Sequence, residues 1–138
     1  MGRRARRVIL LDTHVLVWLA AGDAQLGGRT ARLVARSLSV ARVLVSALSY
    51  WEIAMLVAKR RLAASAPALR DEASRLGIVE VPLDGTIAIA AAALDDLHGD
   101  PADRLIVATA LQAGARLVTA DRALLGWRGK LARHDART

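Results

Sequence analysis

The chain has no cysteine and no phenylalanine, and only two of its twenty basic residues are lysine. Without cysteine there is no disulfide framework and no thiolate metal centre, so zinc held by sulfur is excluded. Any metal must take oxygen ligands or one of the three imidazoles, His14, His98 and His134. The same absence fits a reducing, cytoplasmic setting. Long apolar runs are missing too: the longest stretch free of charged residues, Leu105–Ala115, falls well short of the roughly 18 residues that a membrane span needs, so no membrane association is expected. Arg3, Arg4, Arg6 and Arg7 precede an apolar stretch, the outline of a secretory signal, but Asp12 and His14 interrupt that stretch and a charge there opposes insertion. No linker, low-complexity tract or repeat divides the sequence, so a single domain is expected.

What is present suits a globular protein. The 138 residues are 54% apolar, which excludes intrinsic disorder. Lys and Arg outnumber Asp and Glu by twenty to thirteen, giving a net charge of +7 and a basic surface suited to a polyanion such as nucleic acid. The 18 arginines and 29 alanines also have a plainer source, the codon bias of a GC-rich genome.

The chain alternates between short β-rich runs and helical stretches. Val8–Leu11, Arg42–Ser46, Ile78–Val81 and Arg116–Thr119 read as strands. Thr13–Ala21, Arg29–Ser39, Ser49–Arg61, Ala68–Leu76 and Gly85–Leu94 read as helices. The helix Pro101–Ala113 is the best marked, with Asp100 as N-cap, proline in its first turn and Gly114 beyond its end. This order predicts an α/β fold with a mainly parallel sheet of four to five strands and helices on both faces. The expected organisation is a basic extension over 1–7, one domain over 8–133 and a tail over 134–138.

Four acids lie hard against apolar runs. Asp12 closes Val-Ile-Leu-Leu, Glu52 sits within Ser-Tyr-Trp-Glu-Ile-Ala-Met, Asp103 precedes Leu-Ile-Val-Ala, and Asp121 follows Leu-Val-Thr-Ala. Acids are seldom buried without a partner charge or a metal. Each alone has a capping explanation: Asp12 before its helix, Glu52 in a capping box with Ser49, Asp103 in a first turn, Asp121 ahead of Arg122–Leu125. Together they point elsewhere. Asp12 and Asp121 follow two strand ends, which share one edge of a parallel sheet, the edge where ligands bind. Glu52 and Asp103 fall within reach of that edge. Two anions about 4 Å apart repel by about 4 kcal/mol at an effective dielectric of about 20, so such a cluster calls for a cation. An all-oxygen site suits Mg²⁺ or Mn²⁺.

At Asp12-Thr13-His14, Ser49-Tyr50-Trp51-Glu52-Ile53-Ala54, His98-Gly99-Asp100-Pro101-Ala102-Asp103-Arg104 and Thr119-Ala120-Asp121, the chain resembles the PIN-domain ribonucleases of the VapC toxin type. The similarity runs from Ile9 to about Leu125, and the joint order of the motifs is what makes it specific. By position, the resemblance places the family's four acids on Asp12, Glu52, Asp103 and Asp121. It implies Mg²⁺ or Mn²⁺ held by them, a water activated for RNA phosphodiester hydrolysis, an antitoxin that blocks the site, and a homodimer. The sequence departs from the pattern at Ala102, where phenylalanine is usual, at Arg60, where glycine is usual, and at Gly99, where a basic residue is common.

Thr13, Ser46 and Thr119 are candidates for orienting the carboxylates, with local strand-end hydrogen bonds as the alternative. Arg104 is a candidate partner for a site carboxylate or a phosphate, against an ordinary surface ion pair. His14 and His98 fit polar turn positions better than metal positions. Trp18, Trp51, Trp127 and Tyr50 suit core or dimer contacts, with base stacking as the other role. Two other functions stay open: a PIN-type RNA-processing nuclease without antitoxin, and a receiver-like signalling domain with an acidic Mg²⁺ pocket. The latter needs paired acids after the first strand and a lysine near the end, whereas Asp12 stands alone and only Lys59 and Lys130 exist.

Overall fold

Parallel strands covered on both faces read as near-continuous apolar runs, and the central strands of this chain, Ile-Leu-Leu, Val-Leu-Val-Ser and Arg-Leu-Val-Thr, come close to that. The computed structural model describes residues 8–138, so the arginine-rich stretch 1–7 and its signal-like reading lie outside the described residues. Twelve elements follow in the order β1 (Ile9–Leu11), α1 (Thr13–Ala21), α2 (Gly28–Val40), β2 (Val43–Ser46), α3 (Ala47–Ala58), α4 (Ala66–Leu76), β3 (Val79–Val81), α5 (Gly85–Ala92), α6 (Pro101–Ala113), β4 (Arg116–Thr119), α7 (Arg122–Leu125) and β5 (Arg133–Asp135). All four pairings in the sheet are parallel and the strand order is β3-β2-β1-β4-β5.

Successive residues of β1 point to opposite faces and divide the core in two. Ile9 and Leu11 join Val43, Val45 and Val118 beneath Val15, Val34, Ile53 and Leu69. Leu10 joins Leu44 and Leu117 against Ile106, Val107 and Ala110 of α6, with Leu124 and Trp127. The chain steps from β1 outward to β2 and β3, then returns through α5 and α6 to lay β4 on the other side of β1. That reversal opens a crevice at the carboxyl ends of β1 and β4, where this topology places ligands.

Two expectations need correcting. Residues 134–138 are not a tail: His134 and Asp135 belong to β5, which pairs with β4, and Ala136 is fully buried. The segment Arg-His-Asp has no apolar alternation because it is an edge strand held by backbone hydrogen bonds. Likewise α3 begins at Ala47 with Ser46 as its N-cap, the Ser46 hydroxyl accepting from Leu48 N at 3.1 Å. Ser49 and Glu52 therefore form no capping box. The receiver-like alternative also falls, since such doubly wound domains order their strands 2-1-3-4-5.

Candidate active site

The strand ends and helix starts along the crevice carry the acids. Asp12, Glu52, Asp103 and Asp121 all line one cleft of about 330 Å³, together with Thr13, His14, Trp18, Asp100, Ala120 and Arg137. The four acids singled out in the sequence are thus brought together, and a fifth, Asp100, joins them.

Asp12 is the most constrained. It ends β1 and caps α1, its Oδ1 accepting from Thr13 N at 2.8 Å and its Oδ2 from the Thr119 hydroxyl at 2.6 Å. The Thr119 hydroxyl also accepts from Asp121 N at 3.0 Å, so one side chain ties the ends of β1 and β4 together. The Thr13 hydroxyl donates to Glu52 Oε1 at 2.6 Å and lies 2.9 Å from Ser49 Oγ, which fixes α3 to the start of α1. Asp121 caps α7 through Oδ1, at 2.8 Å from Ala123 N and 3.2 Å from Leu124 N. Asp100 caps α6 in the same way, at 2.9 Å from Ala102 N. Capping and clustering are therefore one arrangement: each of these acids gives one oxygen to its helix start and lines the cleft, and Asp12 is held at its second oxygen by Thr119 as well.

Burial sets the electrostatics. Asp12 and Glu52 are raised above the ordinary carboxylate range chiefly by desolvation, against the hydrogen bonds from Thr119 and Thr13 that favour their charged forms. Asp103 is pushed up to about 7, first by burial and then by its neighbours Asp100, Asp12, Asp121 and Glu52. His98 Nε2 lies 3.2 Å from Asp103 Oδ2. Asp100 N donates to His98 Nδ1 at 3.3 Å, which leaves Nε2 to face Asp103.

The candidate positioning residues divide. Thr13 and Thr119 bond directly to site carboxylates. Ser46 is spent on capping α3, and Ser49, read only as a cap, touches Thr13 instead. Arg104 pairs with no carboxylate of the cleft: its guanidinium donates to the carbonyls of Ala91, Ala92, Leu94 and Leu97 at 2.7–3.2 Å, binding the end of α5 to α6. Trp18 and Trp127 are core residues, whereas Trp51 is 57% exposed. It borders an apolar recess of about 450 Å³ that Leu48, Leu83, Pro101, Ala102 and Leu105 also line. Two residues of the cleft escaped the sequence reading. Asp100 was visible only as a cap, and Arg137 reaches the cleft just beyond the fifth strand, whose place in the chain the sequence did not mark.

Hard carboxylate oxygens, no sulfur and mutual repulsion among the acids fit a divalent cation such as Mg²⁺ or Mn²⁺. Among the described residues no three carboxyl or imidazole groups already converge on one point, so a cation would draw the side chains inward.

A parallel α/β sheet with an acid cleft at its switch point marks a ligand-binding α/β domain. The chain belongs to the PIN-domain family, whose model matches residues 9–126. It is 35% identical over 123 residues to Ribonuclease VapC22 of Mycobacterium tuberculosis, covering 84% of this chain and 88% of that protein. Among solved structures, the fold is similar to VapBC2 from Rickettsia felis bound to a DNA fragment from its promoter, with a TM-score of 0.67 at 13% identity over 92% of this chain and 97% of that one. It is also similar to FitAcB from Neisseria gonorrhoeae, with a TM-score of 0.60 at 23% identity over 93% and 97% of the two chains. No helix among the described residues is long and apolar enough to cross a membrane.

Proposed function

We propose that this chain is a Mg²⁺- or Mn²⁺-dependent endoribonuclease acting in the cytoplasm as the toxin of a toxin–antitoxin pair. The observation that carries the reading is the convergence of Asp12, Glu52, Asp103 and Asp121 on one cleft at the switch point of the sheet. The similarity to a named ribonuclease supports RNA as substrate. The similarity in fold to a toxin–antitoxin complex from Klebsiella pneumoniae, with a TM-score of 0.59 at 20% identity, supports a protein partner, and the apolar recess beside Trp51 supplies surface for that antitoxin or for a second copy in a homodimer.

Hydrolysis of a phosphodiester requires a neutralised phosphoryl oxygen, a nucleophile made from water and a stabilised leaving oxygen. A divalent cation held by the four acids supplies charge neutralisation and lowers the pKa of bound water. The chain's own part is positional. Thr119 and Thr13 hold Asp12 at both oxygens, which fixes it as the anchor of the set. Glu52 Oε2 and Asp121 Oδ2 have no hydrogen-bond partner among the described residues, so each is available to bind the cation or to take a proton from the attacking water. The helix N-termini at Asp12, Asp100 and Asp121 turn their positive ends toward the cleft and lessen its negative potential.

The test is cleavage of total RNA by purified protein with and without Mg²⁺, beside Asp12→Asn and Asp103→Asn. Metal-dependent cleavage by wild type, reduced at least about a hundredfold in both variants, is expected for loss of a group acting on the transition state. No cleavage by wild type, or undiminished cleavage by the variants, contradicts the reading.

A further inference from the structure

Among the described residues the acid cleft holds one guanidinium. Arg137 lines it among Asp12, Glu52, Asp100, Asp103 and Asp121, and is the only arginine or lysine among the described lining residues. Its guanidinium stacks on the Trp18 ring at 5.3 Å from the centroid, and Nη1 donates to the Ala120 carbonyl at 2.9 Å. Trp18 is itself buried, so the guanidinium rests on a fixed plate. Among the described residues Arg137 forms no ion pair with any acid around it.

Its placement is built rather than incidental. Ala136 N donates to Thr119 O and Ala136 O accepts from Gly27 N, both at 2.9 Å. The backbone oxygen of Thr138 accepts from Thr30 N and from the Thr30 hydroxyl, each at 3.1 Å. A Cβ at Gly27 would stand 1.8 Å from that oxygen, so glycine is what lets α2 approach so closely. Arg137 is thereby clamped between two anchored residues at the end of β5.

A guanidinium offers five N–H donors in a planar fork matched to phosphate, and the protein uses one of them here. Arg137 is exposed, so its remaining donors are open to a ligand. We propose that Arg137 is a substrate-positioning residue whose free N–H edge binds a non-bridging oxygen of an RNA phosphate at the cleft. This rests on the reading of the chain as a ribonuclease. It also answers a problem of that reading, since an acidic wall would otherwise repel a polyanion at the point of cleavage.

The test measures binding apart from cleavage. In an Asp12→Asn background, affinity for a fluorescein-labelled single-stranded RNA of mixed sequence is followed against salt for the parent, Arg137→Gln and Arg137→Lys, with melting temperatures in parallel. Loss of one charge-assisted contact lowers affinity about tenfold. It also lowers the magnitude of the slope of log K against log salt by about 0.7, the share of one phosphate on a single strand. Arg137→Gln shows both effects, while Arg137→Lys keeps the slope and loses part of the affinity; altered folding alone would not separate the two variants in this way. Equal slopes for the parent and Arg137→Gln, or the same slope loss in Arg137→Lys, overturn the proposal. Failure of the ribonuclease reading is seen separately, as wild type that does not cleave RNA with Mg²⁺.

Discussion

At the scale of residues, Thr119 governs more than its size implies. Its hydroxyl donates to Asp12 Oδ2 and accepts from Asp121 N, joining the two acids that end neighbouring strands. Replacing it by valine keeps the shape, frees Asp12 to rotate and strands a backbone N–H. Removing such a partner of a metal-binding carboxylate costs about 10–100-fold in metal affinity or activity. The unpaired N–H costs about 1–3 kcal/mol of stability. Thr119→Val is expected to show both losses, in cleavage assays and urea denaturation, and Thr119→Ser to recover most of each. Wild-type activity in the valine variant would show that Asp12 needs no such hold.

At the scale of elements, a helix start after a strand end is the unit from which this site is made. Asp12, Asp100 and Asp121 are N-caps, each giving one oxygen to its helix while lining the cleft. This explains why the acids were legible in the sequence although each had an ordinary explanation. The strands were legible as well, because β1, β2 and β4 are fully apolar runs or nearly so. The fifth strand was not, since Arg133-His134-Asp135 carries no burial pattern and is defined by its partner β4 alone. Arg137 was hidden for the same reason: its contacts to Trp18 and Ala120 span residues that only the folded sheet brings together. Arg60 illustrates the opposite case. It follows the C-cap of α3 at φ +56°, with Arg61 N reaching back to Leu56 O at 2.9 Å, a closing turn that favours glycine. The left-handed conformation costs a side-chain-bearing residue about 1–2 kcal/mol, offset partly by the freedom that glycine adds to the unfolded chain. Arg60→Gly is therefore expected to raise stability by roughly 0.5–1 kcal/mol in urea denaturation. A fall in stability would mean that the arginine side chain contributes more than its backbone costs.

At the scale of the whole molecule, a chain of net charge +7 concentrates acids at the one edge its topology leaves open. A basic net charge suits a polyanion, the clustered carboxylates suit a cation, and Arg137 lines the same cleft. On another face, Ala102 lines the apolar recess at the position where the resembled family carries phenylalanine, beside the exposed Trp51. Carboxylates that act as one cation site bind Mg²⁺ or Mn²⁺ in the folded state alone, and thermal unfolding with either ion added tests this most directly. At ten times Kd, binding to the folded state adds about 1.4 kcal/mol, which raises the melting temperature by roughly 4–6 °C for a domain of this size. Wild type is expected to show that rise and Asp12→Asn to show none. Equal shifts in the two proteins, or no shift in wild type, would contradict the account.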